Sequence, residues 1–119
     1  MKQYFFIAFI CFLSGTSHLY AQSTTRVPQF SNEKTNVWKT VIYPTSKQGL
    51  TMHRHDYNRV IVALSNGVLK ITNDKGKIHY LKLEKNKAYY LTKDPLHELH
   101  KDENLTHYPI TVMVIELKK

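Results

Sequence analysis

The chain reads as an all-β protein, one small barrel or sandwich. Three observations carry that reading. Short segments rich in Val, Ile, Thr and aromatic residues recur between turn signals at Gly49, Asn66-Gly67, Asn73-Asp74-Lys75-Gly76 and Asp94-Pro95. No segment sustains a 3.6-residue apolar period with caps at both ends. The 119 residues leave room for a single core, with no internal repeat and no second domain boundary.

Residues 1–21 stand apart from that pattern. Lys2 is followed by the unbroken apolar run Tyr4 to Leu13, then by small and polar residues and Leu19-Tyr20-Ala21. This is the layout of a secretory signal peptide cleaved after Ala21. The alternative is an uncleaved anchor, but the run is shorter than the ~20 apolar residues that span a bilayer. No cysteine lies at the cleavage point, which argues against a lipoprotein. The expected location is the periplasm or the medium, without stable membrane insertion after cleavage. Cys11 lies inside the apolar run, so residues 22–119 hold no cysteine. That part must rely on its core or on a metal for stability.

The elements follow in order. Residues 22–36 are polar, carry Pro28 and read as a flexible or edge-running lead-in; the barrel is expected over residues 37–119. Val37–Tyr43 is rich in β-branched and aromatic residues, and Leu50–His55 alternates. Arg59–Leu64 is nearly all apolar and fits a buried strand. Val68–Thr72 and Lys77–Leu83 flank the Asn73–Gly76 turn as a hairpin. Lys87–Thr92 and Ile110–Leu117 complete the set.

The formal charge is +8, and +7 without Lys2. Such a balance raises nucleic acid, anionic lipid or an anionic substrate as partners. The lysines from Lys70 to Lys87 are scattered between apolar residues and turns, as on a solvated barrel exterior. No Arg-rich run with interleaved aromatics argues for nucleic acid.

Six histidines remain after the leader: His53, His55, His79, His97, His100 and His107. A lone strand histidine is more often a surface or core residue than a ligand. The spacing of two raises the odds, because His53 and His55 in an extended strand face one side together. Neutral imidazoles there suit a divalent ion such as Fe, Mn, Ni, Cu or Zn. A third ligand has to come from elsewhere, and His97 and His100 are both candidates.

At this point the sequence resembles the cupin superfamily. That family's first motif runs Gly, a His-x-His pair, a Glu shortly after, and a Gly past the strand. The matching positions here are Gly49, His53-Arg54-His55, Arg59 and Gly67. Its second motif ends in a His followed four residues later by Asn, matched by His100 and Asn104 after Pro95. The resemblance covers residues 37–117. It implies a jelly-roll β-barrel with a metal in its mouth held by His53, His55 and His100, and it suggests a homodimer.

One departure is chemical. Arg59 stands where the family places its Glu ligand, on the face shared by positions 53, 55, 57 and 59. A guanidinium has donors only and cannot ligate a cation. At ~4 Å from a dication it would be repelled by on the order of 8 kcal/mol at an effective dielectric constant of ~20. Three outcomes stay open. Arg59 turns from the ion and binds an anionic ligand beside it, as in three-His dioxygenase sites of this family. Or it pairs with Asp56, Glu98 or Asp102. Or the metal is lost and the histidines line an anion pocket.

Tyr57 shares the parity of the histidine pair and is the best aromatic candidate for contacting a ligand. His97 stands where the family has Gly, and reads as a ligand, a base or a loop residue. His79 shares a face with Leu81 and Leu83, His107 reads as surface, and Asn104 reads as a structural turn residue. Trp38, Tyr80, Tyr89 and Tyr90 are assigned to the core. Three functions remain: a dioxygenase-like metal enzyme acting on a small anion, a non-catalytic binding module for a metal or small anion, and a partner-binding barrel with a vestigial site.

Overall fold

A computed structural model describes residues 24–44 and 51–119. The signal-peptide reading and Leu50 lie outside the described residues. Those residues form eight strands and no helix. They are β1 (Thr24–Ser31), β2 (Thr35–Ile42), β3 (Arg59–Ala63), β4 (Gly67–Asn73), β5 (Ile78–Leu83), β6 (Ala88–Leu91), β7 (His100–Asn104) and β8 (Ile110–Leu117). One sheet runs β1-β2-β8-β3-β6 and the other β5-β4-β7, with every ladder antiparallel.

The alternation predicts the inward faces. β3 and β8 bury every second residue, which brings Ile61, Ala63, Ile110, Val112 and Val114 into one core. Trp38 and Ile42 of β2 join them from the same sheet; Leu69 and Leu83 come from the opposite one. Trp38 Nε1 donates to Thr40 Oγ1 at 2.9 Å, so its polar edge is satisfied inside the barrel. Tyr89 packs against this core, whereas Tyr80 and Tyr90 are exposed, which corrects their core assignment. Both lie on the outward side of their strands.

The expected hairpin joins β4 and β5. Asn73 Oδ1 accepts from the Lys75 and Lys77 N–H groups, and Gly76 takes φ +83°. At the β3–β4 turn, a Cβ on Gly67 would meet Ile110 Cδ1 at 2.4 Å, so the absence of a side chain lets β8 pack there.

Two stretches depart from the sequence reading. The lead-in contains a regular strand: β1 pairs with β2 along its length at the sheet edge, with an irregularity between Pro28 and Phe30. Almost every β1 residue is exposed, so the pairing comes from backbone hydrogen bonds and leaves no apolar alternation to detect. The Leu50–His55 stretch, in contrast, is no regular strand over its described residues. His53 forms a single antiparallel bridge with His100, and the chain then leaves the sheet.

Candidate metal centre

The His53–His100 bridge builds the site. Each residue donates its N–H to the other's carbonyl at 2.8 Å. Directly opposed residues of an antiparallel pair project to one face, so the two imidazoles meet with ring centroids 4.5 Å apart. His55, two residues on, adds a third ring at 5.0 Å from His53 and 5.4 Å from His100. One nitrogen from each ring falls within 4.8 Å of the others.

Asp94 holds the cluster from behind. Its Oδ2 accepts the His55 N–H at 2.7 Å and lies 3.1 Å from His100 Nδ1, while its own N–H donates to His55 O. Arg54 points away from the rings and fastens the same two segments. Its Nε donates to Asp56 Oδ1 at 2.7 Å and its Nη1 to Pro95 O at 2.6 Å. On the other side, Asp102 Oδ2 lies 3.5 Å from His53 Nε2, and Asp102 Oδ1 lies 3.7 Å from His100 Nε2. Neither Asp94 nor Arg54 carried a signal in the sequence beyond a turn.

Arg59 opens β3 and is buried, at 8% exposure. Its Nη1 donates to Thr92 O at 3.2 Å, and no carboxylate among the described residues forms an ion pair with it. The expected partner Asp56 is taken by Arg54, and Asp102 faces the histidines instead. Burial pushes the guanidinium's pKa down, opposed by the charges of Asp94, Asp102 and Glu116.

The environments of the rings separate their proton affinities. The hydrogen bond with Asp102 raises the His53 pKa against the effect of burial. Burial, with Arg59 adding to it, pushes His55 down to about 4. Burial also lowers His100, against Asp102 and Asp94. Burial pushes the Asp102 carboxyl up, but its hydrogen bond to His53 and the nearby imidazoles outweigh that and hold it below its usual range.

His53, His55, Arg59, Asp94, His100 and Asp102 all line one cavity of about 580 Å³. His79 lines it as well. Tyr57 and His97 are not among the residues that line it. Tyr57 sits at a bend and is 40% exposed, because strand parity fails where no strand forms. His97 is exposed at φ +64°, a left-handed backbone that explains why Gly suits this position. His107 is exposed as expected. Asn104 is structural: its Nδ2 donates to Ile42 O at 2.9 Å and to Tyr108 O at 2.8 Å.

The donor set fits a divalent first-row metal. Three imidazoles are the right ligand type, and their Nε2 or Nδ1 atoms converge on one point. His53 Nδ1 lies 3.2 Å from Thr51 O, and His100 Nδ1 faces Asp94. With these partners accepting the Nδ1 protons, both Nε2 atoms face inward, where a metal would displace the proton His53 Nε2 shares with Asp102. A backbone or carboxylate partner on Nδ1 is the arrangement that orients histidine ligands in metal sites.

The architecture is that of known cupin structures. A cupin domain from Bordetella pertussis Tohama I is similar at 22% identity and a TM-score of 0.68, over 82% of this chain and 95% of that one. The Cupin_2 domain of an XRE-family transcriptional regulator from Enterobacter cloacae is similar at 17% identity and TM-score 0.57, over 82% and 98%. Fe(II)-HppE with an alternative substrate is similar at 7% identity and TM-score 0.62, over 81% of this chain and 50% of that one. No family model and no curated protein matches the chain by sequence. The chain has the cupin fold, and at these identities the likeness is one of fold.

Proposed function

We propose that this protein binds a divalent metal ion through His53, His55 and His100 and takes a small anionic ligand beside it, anchored by Arg59. The observation that carries this reading is the convergence of three imidazoles in a cavity that also holds a buried guanidinium with, among the described residues, a single side-chain hydrogen bond. An arginine has five N–H donors, and a desolvated one with most of them unused favours a carboxylate or phosphate partner. A metal held by three neutral ligands supplies Lewis acidity and open positions for such a ligand. HppE, similar in fold, is an iron(II) protein with a substrate, which supports an enzymatic form of the reading. The apolar leader ending at Ala21 supports export of this module.

A specific observation favours a second reading, a binding module without catalysis. Asp94 and Asp102, the described carboxylates in contact with the rings, are both engaged by histidines, so neither stands free as a general base. Elemental analysis of the purified protein, followed by oxygen uptake against small acids, tests both. The metal reading expects about one equivalent per chain, lost in the His53→Ala, His55→Ala double variant. Unchanged metal content in that variant sinks it. No uptake by the iron-loaded protein favours the binding module.

A further inference from the structure

We infer that Asp102 supplies the fourth protein ligand to the metal, a carboxylate delivered from β7 in place of the one whose position on β3 is occupied by Arg59. The inference rests on the three-histidine reading above and extends it.

The placement follows from strand geometry. His100 and Asp102 are two apart in β7, so their side chains share the face that looks at His53. The Asp102 carboxylate straddles the two rings, with Oδ2 3.5 Å from His53 Nε2 and Oδ1 3.7 Å from His100 Nε2. An ion ~2.1 Å from each of its ligands sets neighbouring ligand atoms ~3.0–3.4 Å apart. The separations from His53 and His100 exceed that span by a few tenths of an ångström; Asp102 stands outside the 4.8 Å group of the three imidazoles, so its carboxylate has to rotate inward to complete the set with His55. Asp102 is also positioned to stay: it is half-buried, lines the cavity, and makes no ion pair with Lys or Arg among the described residues.

The hydrogen-bond inventory gives an independent argument. With Thr51 O and Asp94 taking the Nδ1 protons, the inward atoms are two Nε2 lone pairs and two carboxylate oxygens. All four are acceptors. Converging acceptors repel one another unless a positive centre sits among them: in the metal-free protein that is the proton His53 Nε2 shares with Asp102 Oδ2, and a metal ion would take its place. Arg59 does not fill that role, because its guanidinium is turned to Thr92 O. The charge count agrees: one carboxylate ligand would halve the ion's net charge and reduce its repulsion of Arg59. The site would then be three imidazoles and one carboxylate, with Arg59 free to face an anion on the open side.

Cobalt(II) is the probe, titrated into the metal-free protein in a Cys11→Ser background so that no other thiol is present. Wild type, Asp102→Asn, Asp102→Cys and the His53→Ala, His55→Ala pair are compared, with circular dichroism confirming the fold. Asp102→Asn keeps the side-chain shape and removes the charge. It is expected to weaken cobalt binding roughly 100-fold or more, beyond the ~10–100-fold loss of an outer partner. Asp102→Cys is expected to bind cobalt with a new near-ultraviolet sulfur-to-metal band, which only a directly bound thiolate produces. Wild-type affinity in Asp102→Asn, or a folded Asp102→Cys protein with bound cobalt and no such band, overturns the assignment while leaving the histidine site intact. Wild-type binding by the double histidine variant overturns the histidine site itself, and this inference with it.

Discussion

Asp94 Oδ2 stands 3.1 Å from His100 Nδ1 while accepting the His55 backbone N–H at 2.7 Å, so a single carboxylate positions two of the three imidazoles. Removing it frees the His100 ring to rotate and loosens the segment that carries His55. Partners of this kind contribute ~10–100-fold to metal affinity. Asp94→Ala is therefore expected to weaken zinc binding by about that factor, or ~1.4–2.8 kcal/mol. Calorimetric titration measures it, and an affinity equal to wild type would show that the ring is held by packing alone.

The three rings should protonate in a fixed order in metal-free protein. His53, raised by its hydrogen bond to Asp102, takes a proton first as the pH falls. His100, lowered chiefly by burial, follows. His55, buried and beside Arg59, holds out until about pH 4. The stability consequences have opposite signs. His55 is depressed relative to the unfolded chain, so its contribution is present above its unfolded pKa of ~6.5 and is lost as the pH falls from there towards 4. His53 is raised, so its contribution is full below ~6.5 and is lost as the pH rises through its folded value. Ring resonances followed by NMR between pH 3 and 8 would check the order; His55 titrating ahead of His53 contradicts it.

Much of the barrel was legible because its inward faces alternate. The apolar run Ile110–Leu117 has the same bounds as β8, and the β4–β5 hairpin falls on the Asn73–Gly76 signal. β1 and β7 carry no strand signal in the sequence, for the same physical reason. β1 is exposed along almost its whole length, and β7 reads HKDEN, with no apolar residue to mark a period. In β7 the buried positions are His100 and Asn104, four apart and on one face, and both are polar. The spacing of two exposed the pairing of His53 with His55. The roles of Arg54, Asp94 and Asp102 depend on which distant segments lie together. Arg54 meets Pro95 41 positions away, a contact no local pattern encodes. Strand parity does not fix where Tyr57 points, because the chain bends there, and His97 lies exposed in a left-handed loop position, apart from the face that carries His100.

Gly67 links the turn chemistry to the core. A methyl group there would overlap Ile110 Cδ1 and Cγ1 at 2.4 and 2.5 Å, and Ile110 is fully buried. The overlap forces the Ile110 side chain off its rotamer or shifts β8 against β3. Overpacking of this kind costs ~1–3 kcal/mol, against a gain of ~0.4–1 kcal/mol from stiffening the unfolded chain. Gly67→Ala should lower the urea midpoint without altering the slope of the transition. An unchanged midpoint would mean that Ile110 repacks without cost.

Arg59 separates metal binding from ligand binding, and its substitutions should move the two in opposite directions. The guanidinium is buried, with one hydrogen bond to Thr92 O, so it reserves donors for an anion but also carries a charge that opposes a nearby dication. Arg59→Gln removes the charge and keeps some hydrogen-bonding capacity. It is expected to tighten zinc binding and to weaken succinate binding to the zinc-loaded protein by ~10–100-fold, since hydrogen bonds to charged groups contribute ~1.5–3 kcal/mol. Arg59→Glu should go further in both respects, because a carboxylate at the start of β3 can join the ligand set. Titration calorimetry with zinc and then with succinate reads the two affinities separately. If succinate binds the Gln variant as well as it binds wild type, Arg59 is not the anion anchor and its burial is purely structural.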